Sequence, residues 1–205
     1  MLSGSGRTLQ NFIDLSKTGR LKADITGVIS SRSDAYGLER ARKAGIPACV
    51  VDPGRYDNSS DFSSAITSRI SPWNPDLVVM AGFLSLYLIP PRLENRVMNI
   101  HPALLPAFGG KGCYGERVHR AVLEYGCKVS GCTVHFANNK YDHGPIILQK
   151  AVAVKQDDDV HSLAERVFEA EKELYPRAIN LFAGQKLRID GRVVKVLGAV
   201  ATQSG

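Results

Sequence analysis

The chain has 205 residues, of which 44% are hydrophobic and 22% charged, with a formal net charge of +6 and a pI of about 9.2. That balance belongs to a globular chain able to bury a core without disulfides or metals, and it excludes disordered and fibrous classes. No apolar run is long enough to span a bilayer and no signal peptide is recognisable, so no membrane partner is expected. The basic excess suits anionic ligands, but Lys and Arg are scattered. The densest stretch, Arg40, Arg42 and Lys43, falls on an amphipathic helix whose solvated face would be basic anyway. Small phosphorylated or carboxylated molecules are therefore expected as ligands, and nucleic acid is not. Cys49, Cys113, Cys127 and Cys132 contain no C-x-x-C pair, which points to a reduced, cytoplasmic protein with Cys49 and Cys132 as small buried hydrophobes.

In chain order, Gly4-Ser5-Gly6-Arg7-Thr8-Leu9 is a glycine-rich turn running into a helix over residues 9–15. Glycines let a backbone approach an anion closely, and a helix start offers free N–H groups. Leu9 stands where a dinucleotide fingerprint has its third glycine, and no Walker lysine follows, so a phosphate monoester is a better fit than NAD or ATP. Strands are expected over residues 25–30, 48–51, 77–81 and 97–100, with helices over 35–44 and 62–70 and a short helix near 84–89 halted by Pro90 and Pro91. This alternation predicts a doubly wound, mostly parallel α/β sheet flanked by helices, in a single domain. Two strand-like runs, 129–136 and 146–154, a long helix over about 160–182 and a hairpin over 187–196 turning at Asp190-Gly191 complete the chain.

Chemistry concentrates in two segments. In Met98-Asn99-Ile100-His101-Pro102 the period of two puts Asn99 and His101 on one side of a strand, and Pro102 ends it. An amide and an imidazole thus share the carboxyl end of a parallel strand, where open α/β sheets bind ligands. The loop over residues 137–145 contains Asp142, either a turn residue or a carboxylate presented to a cleft, and spacing alone does not join it to His101. His135 is either a satisfied core residue or a neighbour of the site. His119 and His161 lie on helices and read as surface positions. No Cys, His and carboxylate set has metal-ligand spacing, so no metal is expected.

Together these segments resemble the glycinamide ribonucleotide formyltransferase family. The resemblance rests on residues 3–6 leading to Leu9-Gln10, Ala81-Gly82-Phe83, Asn99-Ile100-His101-Pro102-Ala103-Leu104-Leu105-Pro106, residues 131–136, Asp142 with residues 144–149, and Glu171 with Tyr175-Pro176. It implies a Rossmann-like formyltransferase domain over residues 1–205, with a ribonucleotide half (1–100) and a folate-binding, catalytic half (101–205). It implies transfer of formyl from the co-substrate 10-formyltetrahydrofolate to glycinamide ribonucleotide in purine biosynthesis, without a covalent enzyme intermediate, and it admits a homodimer. Asn99, His101 and Asp142 become the catalytic trio. Gly6, Arg7, Thr8 and Glu171 would hold the ribonucleotide. Leu84, Ser85, Leu86, Tyr87 and Tyr141, with Asn99 and Asp142, would hold the folate. Asp142 would raise the pKa of His101 and keep it charged near neutrality.

The chain departs from the family at three points. Arg7-Thr8 replaces the common Ser-Asn, Ser85 replaces an arginine, and only Met1 and Leu2 precede the glycine turn. A strand is expected to aim that turn, so the natural chain is expected to begin upstream with a few apolar residues or to carry a stunted first strand. Formyltetrahydrofolate deformylases, the hydrolytic alternative, usually have a second histidine after the catalytic one, where Pro102 stands here.

Overall fold

The structure, a computed structural model, describes residues 1–198. The glycine turn leads into α1 (Arg7–Lys17), followed by β1 (Val28–Ser30), α2 (Tyr36–Lys43), β2 (Ala48–Val50), α3 (Ser59–Ile70), β3 (Val78–Met80) and β4 (Val97–His101). Then come α4 (Glu116–Tyr125), β5 (Val129–Phe136), β6 (Ile146–Ala153), α5 (Val160–Ala183), β7 (Leu187–Asp190) and β8 (Val193–Val196). β1 pairs with β2 in parallel, and a six-stranded sheet runs β3-β4-β5-β6-β8-β7. β3 and β4 are parallel, whereas β4-β5, β5-β6 and β7-β8 are antiparallel. The α/β frame is as expected, but the pairing is mixed and not mostly parallel: β1-β2, β3-β4 and a single β6-β8 contact are parallel, and the longer ladders β4-β5, β5-β6 and β7-β8 are antiparallel.

Residues 1–3 stitch the two sheets together. Leu2 bridges Ser30 in parallel, the Met1 amine donates to Val79 O at 2.6 Å, and Ala81 N donates back to Met1 O at 2.9 Å. Met1 and Leu2 therefore occupy the carboxyl end of a central strand position. Beyond Met1 the space between the two strands opens into a cavity of about 890 Å³, lined by apolar groups that include Leu9, Phe12, Leu77, Ile179 and Phe182. Trp73 reaches into this space, lying so close to Gly27 that a Cβ there would stand 2.5 Å from its ring.

Alternation along β4 divides the core. Met98 and Ile100 join Val122, Leu163, Val167 and Leu174 from α4 and α5, whereas Val97 joins Ile29, Val78 and the α3 residues Phe62, Ile66 and Ile70. Burial of each such side chain contributes about 1.5–3 kcal/mol. α5 begins with a capping box, Asp159 accepting from Ser162 N and Asp159 N donating to Ser162 Oγ. Midway, Pro176 cannot donate to Lys172 O, and the Asn11 amide supplies the missing donor at 3.0 Å. Tyr175 Oη reaches Met80 O at 2.9 Å and Met98 O at 3.0 Å, tying this helix to β3 and β4.

Three local expectations are corrected. Residues 84–89 form no helix. Their N–H groups are taken by distant side chains instead: Leu84 N by Ser3 Oγ, Leu88 N by Ser63 Oγ and Ile89 N by Asn139 Oδ1. His119 is buried rather than superficial, beside Val118 and Val122 on the inward face of α4. Cys49 is only half-buried, although Cys132 is fully enclosed.

Candidate active site

The glycine turn closes against α2. Gly6 has a φ of 69°, and a Cβ there would stand 2.6 Å from Gly37 Cα, so glycine is demanded twice over. No side chain caps α1 and no acid lies in its first turn, which leaves its N–H groups for an anion. Arg7, expected either on a phosphate or in solvent, grips Glu165 of α5 with two hydrogen bonds of 2.5 and 2.6 Å. Its guanidinium lies 3.9 Å from the Phe168 ring centroid.

The trio separated by 43 residues in sequence meets at one point. His101 Nδ1 is 3.5 Å from Asp142 Oδ2, and Asn99 Nδ2 is 3.3 Å from Asp142 Oδ1. Antiparallel pairing sets Asn99 opposite His135, whose Nε2 is 3.2 Å from Asn99 Nδ2 and 3.7 Å from Asp142 Oδ1. The β5-β6 register shifts between Val134 and His135, a bulge that aims the ring into this cluster. The loop after β5 returns tightly: a Cβ on Gly144 would overlap Phe136 O, and Asp142 takes a φ of 50°, a conformation that aspartate tolerates better than most residues. Gly110 N donates to Asp142 Oδ2 at 2.9 Å.

Hydrogen bonding sets the proton positions. His101 Nε2 lies 2.9 Å from Phe108 O and His135 Nδ1 lies 2.9 Å from Phe136 O, so each of these nitrogens carries a hydrogen and donates to a carbonyl. Burial pushes the His101 pKa down, and this outweighs the upward pull of Asp142 and the Phe108 carbonyl. The free protein therefore holds His101 neutral near neutrality, not charged as expected. Burial also pushes Asp142 up, but His135, His101 and the Gly110 N–H together hold it below the usual carboxylate range. Asp142 is the standing negative charge of the site.

A cleft of about 670 Å³ joins the glycine turn to this cluster, and every residue expected from the sequence lines it. On one side are Gly6, Arg7, Thr8 and Glu171, and on the other Leu84, Ser85, Leu86 and Tyr87 face Tyr141 and Asp142. Leu84 and Tyr141 stand exposed at the rim, whereas the Tyr87 ring is buried with its hydroxyl 2.9 Å from Thr67 Oγ1. Glu171 lies at the foot of the cleft, where desolvation pushes its pKa up to about 8 against the lowering pull of Arg7. The sequence reading missed Phe168, His119 and the 110–115 loop, all of which line the cleft. The density of glycines at 109, 110, 112 and 115 was the available signal for that loop. His119 Nδ1 is buried without a partner. Among the described residues no group of three or more His, Cys, Asp or Glu side chains is arranged to hold a metal ion.

Residues 1–179 match the family model described as formyl transferase. The chain belongs to the formyl transferase family. It is 36% identical over 192 residues to the phosphoribosylglycinamide formyltransferase of Escherichia coli strain K12, covering 92% of this chain and 88% of that one. It is 38% identical over 191 residues to the trifunctional purine biosynthetic protein adenosine-3 of Gallus gallus, covering 92% of this chain and 18% of the relative. The chain thus spans under a fifth of the trifunctional relatives it matches. The crystal structure of glycinamide ribonucleotide transformylase 1 from Symbiobacterium toebii superposes with a TM-score of 0.88 at 46% identity, covering 96% of this chain and 91% of that one. The formyl transferase fold accounts for the whole frame around the cleft.

Proposed function

We propose that this protein transfers the formyl group of 10-formyltetrahydrofolate to the amine of glycinamide ribonucleotide, acting in the cytoplasm on small-molecule substrates. The observation that carries this reading is the meeting of Asn99, His101 and Asp142 in one cleft with an uncapped helix start behind a glycine turn. The cleft volume lies in the range of small-molecule sites. Residues 1–100 would take mainly the ribonucleotide, with its phosphate on Gly6, Arg7 and Thr8 and Glu171 nearby. Leu84 to Tyr87 and Tyr141 would hold the folate, whose role is to supply the formyl carbon.

Asn99 offers the donor for the charge that develops on the formyl oxygen. One of its amide hydrogens is engaged by His135 Nε2, while the other faces Asp142 at a long 3.3 Å and is free to turn to a better acceptor. The attacking amine must lose a proton, and the departing nitrogen must gain one. Asp142, held ionised, accepts the amine's proton, His101 Nδ1 stands 3.5 Å behind to share it, and the pair returns it to the folate nitrogen as the bond to the formyl carbon breaks. A neutral His101 becomes cationic only when it takes the proton, so its charge appears in step with the oxyanion. No side chain need form a bond to the formyl group.

Absorbance at the folate chromophore, followed with 10-formyl-dideazafolate in the presence and absence of glycinamide ribonucleotide, tests the reading. Turnover only with the ribonucleotide is expected, and equal turnover without it would mean hydrolysis instead.

A further inference from the structure

We propose that Glu165 is a built-in stand-in for the substrate phosphate, occupying the Arg7 fork until a phosphate displaces it, so that the pair selects phosphorylated substrates. This rests on the ribonucleotide reading of the cleft.

The geometry is that of an anion site already filled. Two carboxylate oxygens of Glu165 take the two terminal nitrogens of Arg7, the arrangement in which a guanidinium also grips two phosphate oxygens. The Phe168 face, one helical turn along α5, holds the guanidinium plane whichever anion occupies it. Arg7 is the first residue of α1 and lines the cleft beside Gly6 and Thr8, next to the uncapped N–H groups of that helix. Glu165 bonds only to the fork, whereas a phosphate could use the fork and the helix start together.

The exchange is easy because the Arg7 and Glu165 side chains are 44% and 39% exposed. Exposed ion pairs are weak and screened, and a displaced Glu165 returns to water. A dianion with two sets of donors wins that competition. A ribose hydroxyl or a neutral group cannot, so an unphosphorylated analogue meets a fork that stays closed.

The test compares KM for glycinamide ribonucleotide and for its dephosphorylated ribonucleoside in the wild type and in Arg7→Ala, Arg7→Lys and Glu165→Gln. Arg7→Ala is expected to raise the ribonucleotide KM about tenfold or more, with Arg7→Lys intermediate because the charge survives without the fork. Glu165→Gln is expected to lower it about two- to fivefold, since the competing anion is gone. Neither effect should appear with the ribonucleoside. Glu165→Gln and Arg7→Ala shifting KM in the same direction, or both variants acting equally on the two substrates, would show a mere brace between α1 and α5 and overturn the proposal. Calorimetric titration with inorganic phosphate gives an answer independent of turnover. Tighter binding to Glu165→Gln and weaker binding to Arg7→Ala supports the proposal even if no formyl transfer is found, and unchanged binding in both refutes it.

Discussion

At the residue scale the cleft holds two carboxyls pushed in opposite directions. Asp142 is kept ionised by His135, His101 and the Gly110 N–H, so Asp142→Asn removes the charge that partly offsets the burial of His101. The His101 pKa is then expected to fall further below its ordinary value, read by NMR titration, with most turnover lost. An unchanged pKa would mean the two do not interact. His101→Ala is expected to lower turnover about 10²-fold with its thermal midpoint close to wild type; near-normal turnover would remove His101 from the mechanism. Glu171 is the opposite case. Its folded pKa of about 8 lies above the ordinary 4.5, so between those values the unfolded chain releases a proton that the folded chain keeps. Stability therefore falls as pH rises through that window. Glu171→Gln is expected to raise the melting temperature by a few degrees at pH 7.5 and to leave it nearly unchanged near pH 4.5, while weakening ribonucleotide binding. An equal effect at both pH values would show that Glu171 is ionised throughout. Strand parity alone made Asn99 and His101 legible. The approach of Asp142 was not, because it depends on the β5-β6 pairing and on the tight return at Gly144. His119 was misread because only packing decides which border position of an amphipathic helix turns inward.

At the element scale α5 holds the two halves of the site together. It carries Phe168 and Glu171 to the cleft and Glu165 to Arg7, and one turn later Tyr175 bonds the carbonyls of Met80 and Met98. Met98 precedes Asn99, and Met80 leads to the 84–87 segment, so a single hydroxyl steadies both walls. Tyr175→Phe keeps the ring in the core but removes that donor. It is expected to cost about 1–3 kcal/mol, measured as a shift of the urea midpoint, because buried carbonyls lose a partner. A cost near zero would mean that water replaces the hydroxyl. Hydrophobic periodicity made this helix and the first-half strands legible in the sequence. The 84–89 segment was not readable, since its N–H groups are claimed by Ser3, Ser63 and Asn139, residues 25 to 81 positions away. Local sequence holds no record of such competition for a backbone donor.

At the scale of the whole molecule the unusual feature is the cavity of about 890 Å³ in the middle of the sheet. The edges of β1 and β3 converge on Met1, and Trp73 packs against Gly27 beside them. The Met1 amine is partly buried, and desolvation pushes its pKa down to about 5 from an ordinary 8.0. Between those values the unfolded chain holds a proton that the folded chain lacks. Stability is therefore lost as pH falls from 8 toward 5, at roughly 1.4 kcal/mol per pH unit. Adding four apolar, β-branched residues ahead of Met1 would convert the amine to an amide, extend the parallel ladder and fill the slot. Each buried side chain would contribute up to about 2 kcal/mol. Such an extended chain is expected to melt several degrees higher than the 205-residue chain, with the gain larger at pH 6 than at pH 8. An extension of equal length made of Gly and Ser separates the two effects. It removes the amine but brings no apolar surface, so it should recover only the pH-dependent part. If the apolar extension stabilises no more than the Gly-Ser one at pH 8, the cavity does not accept a strand.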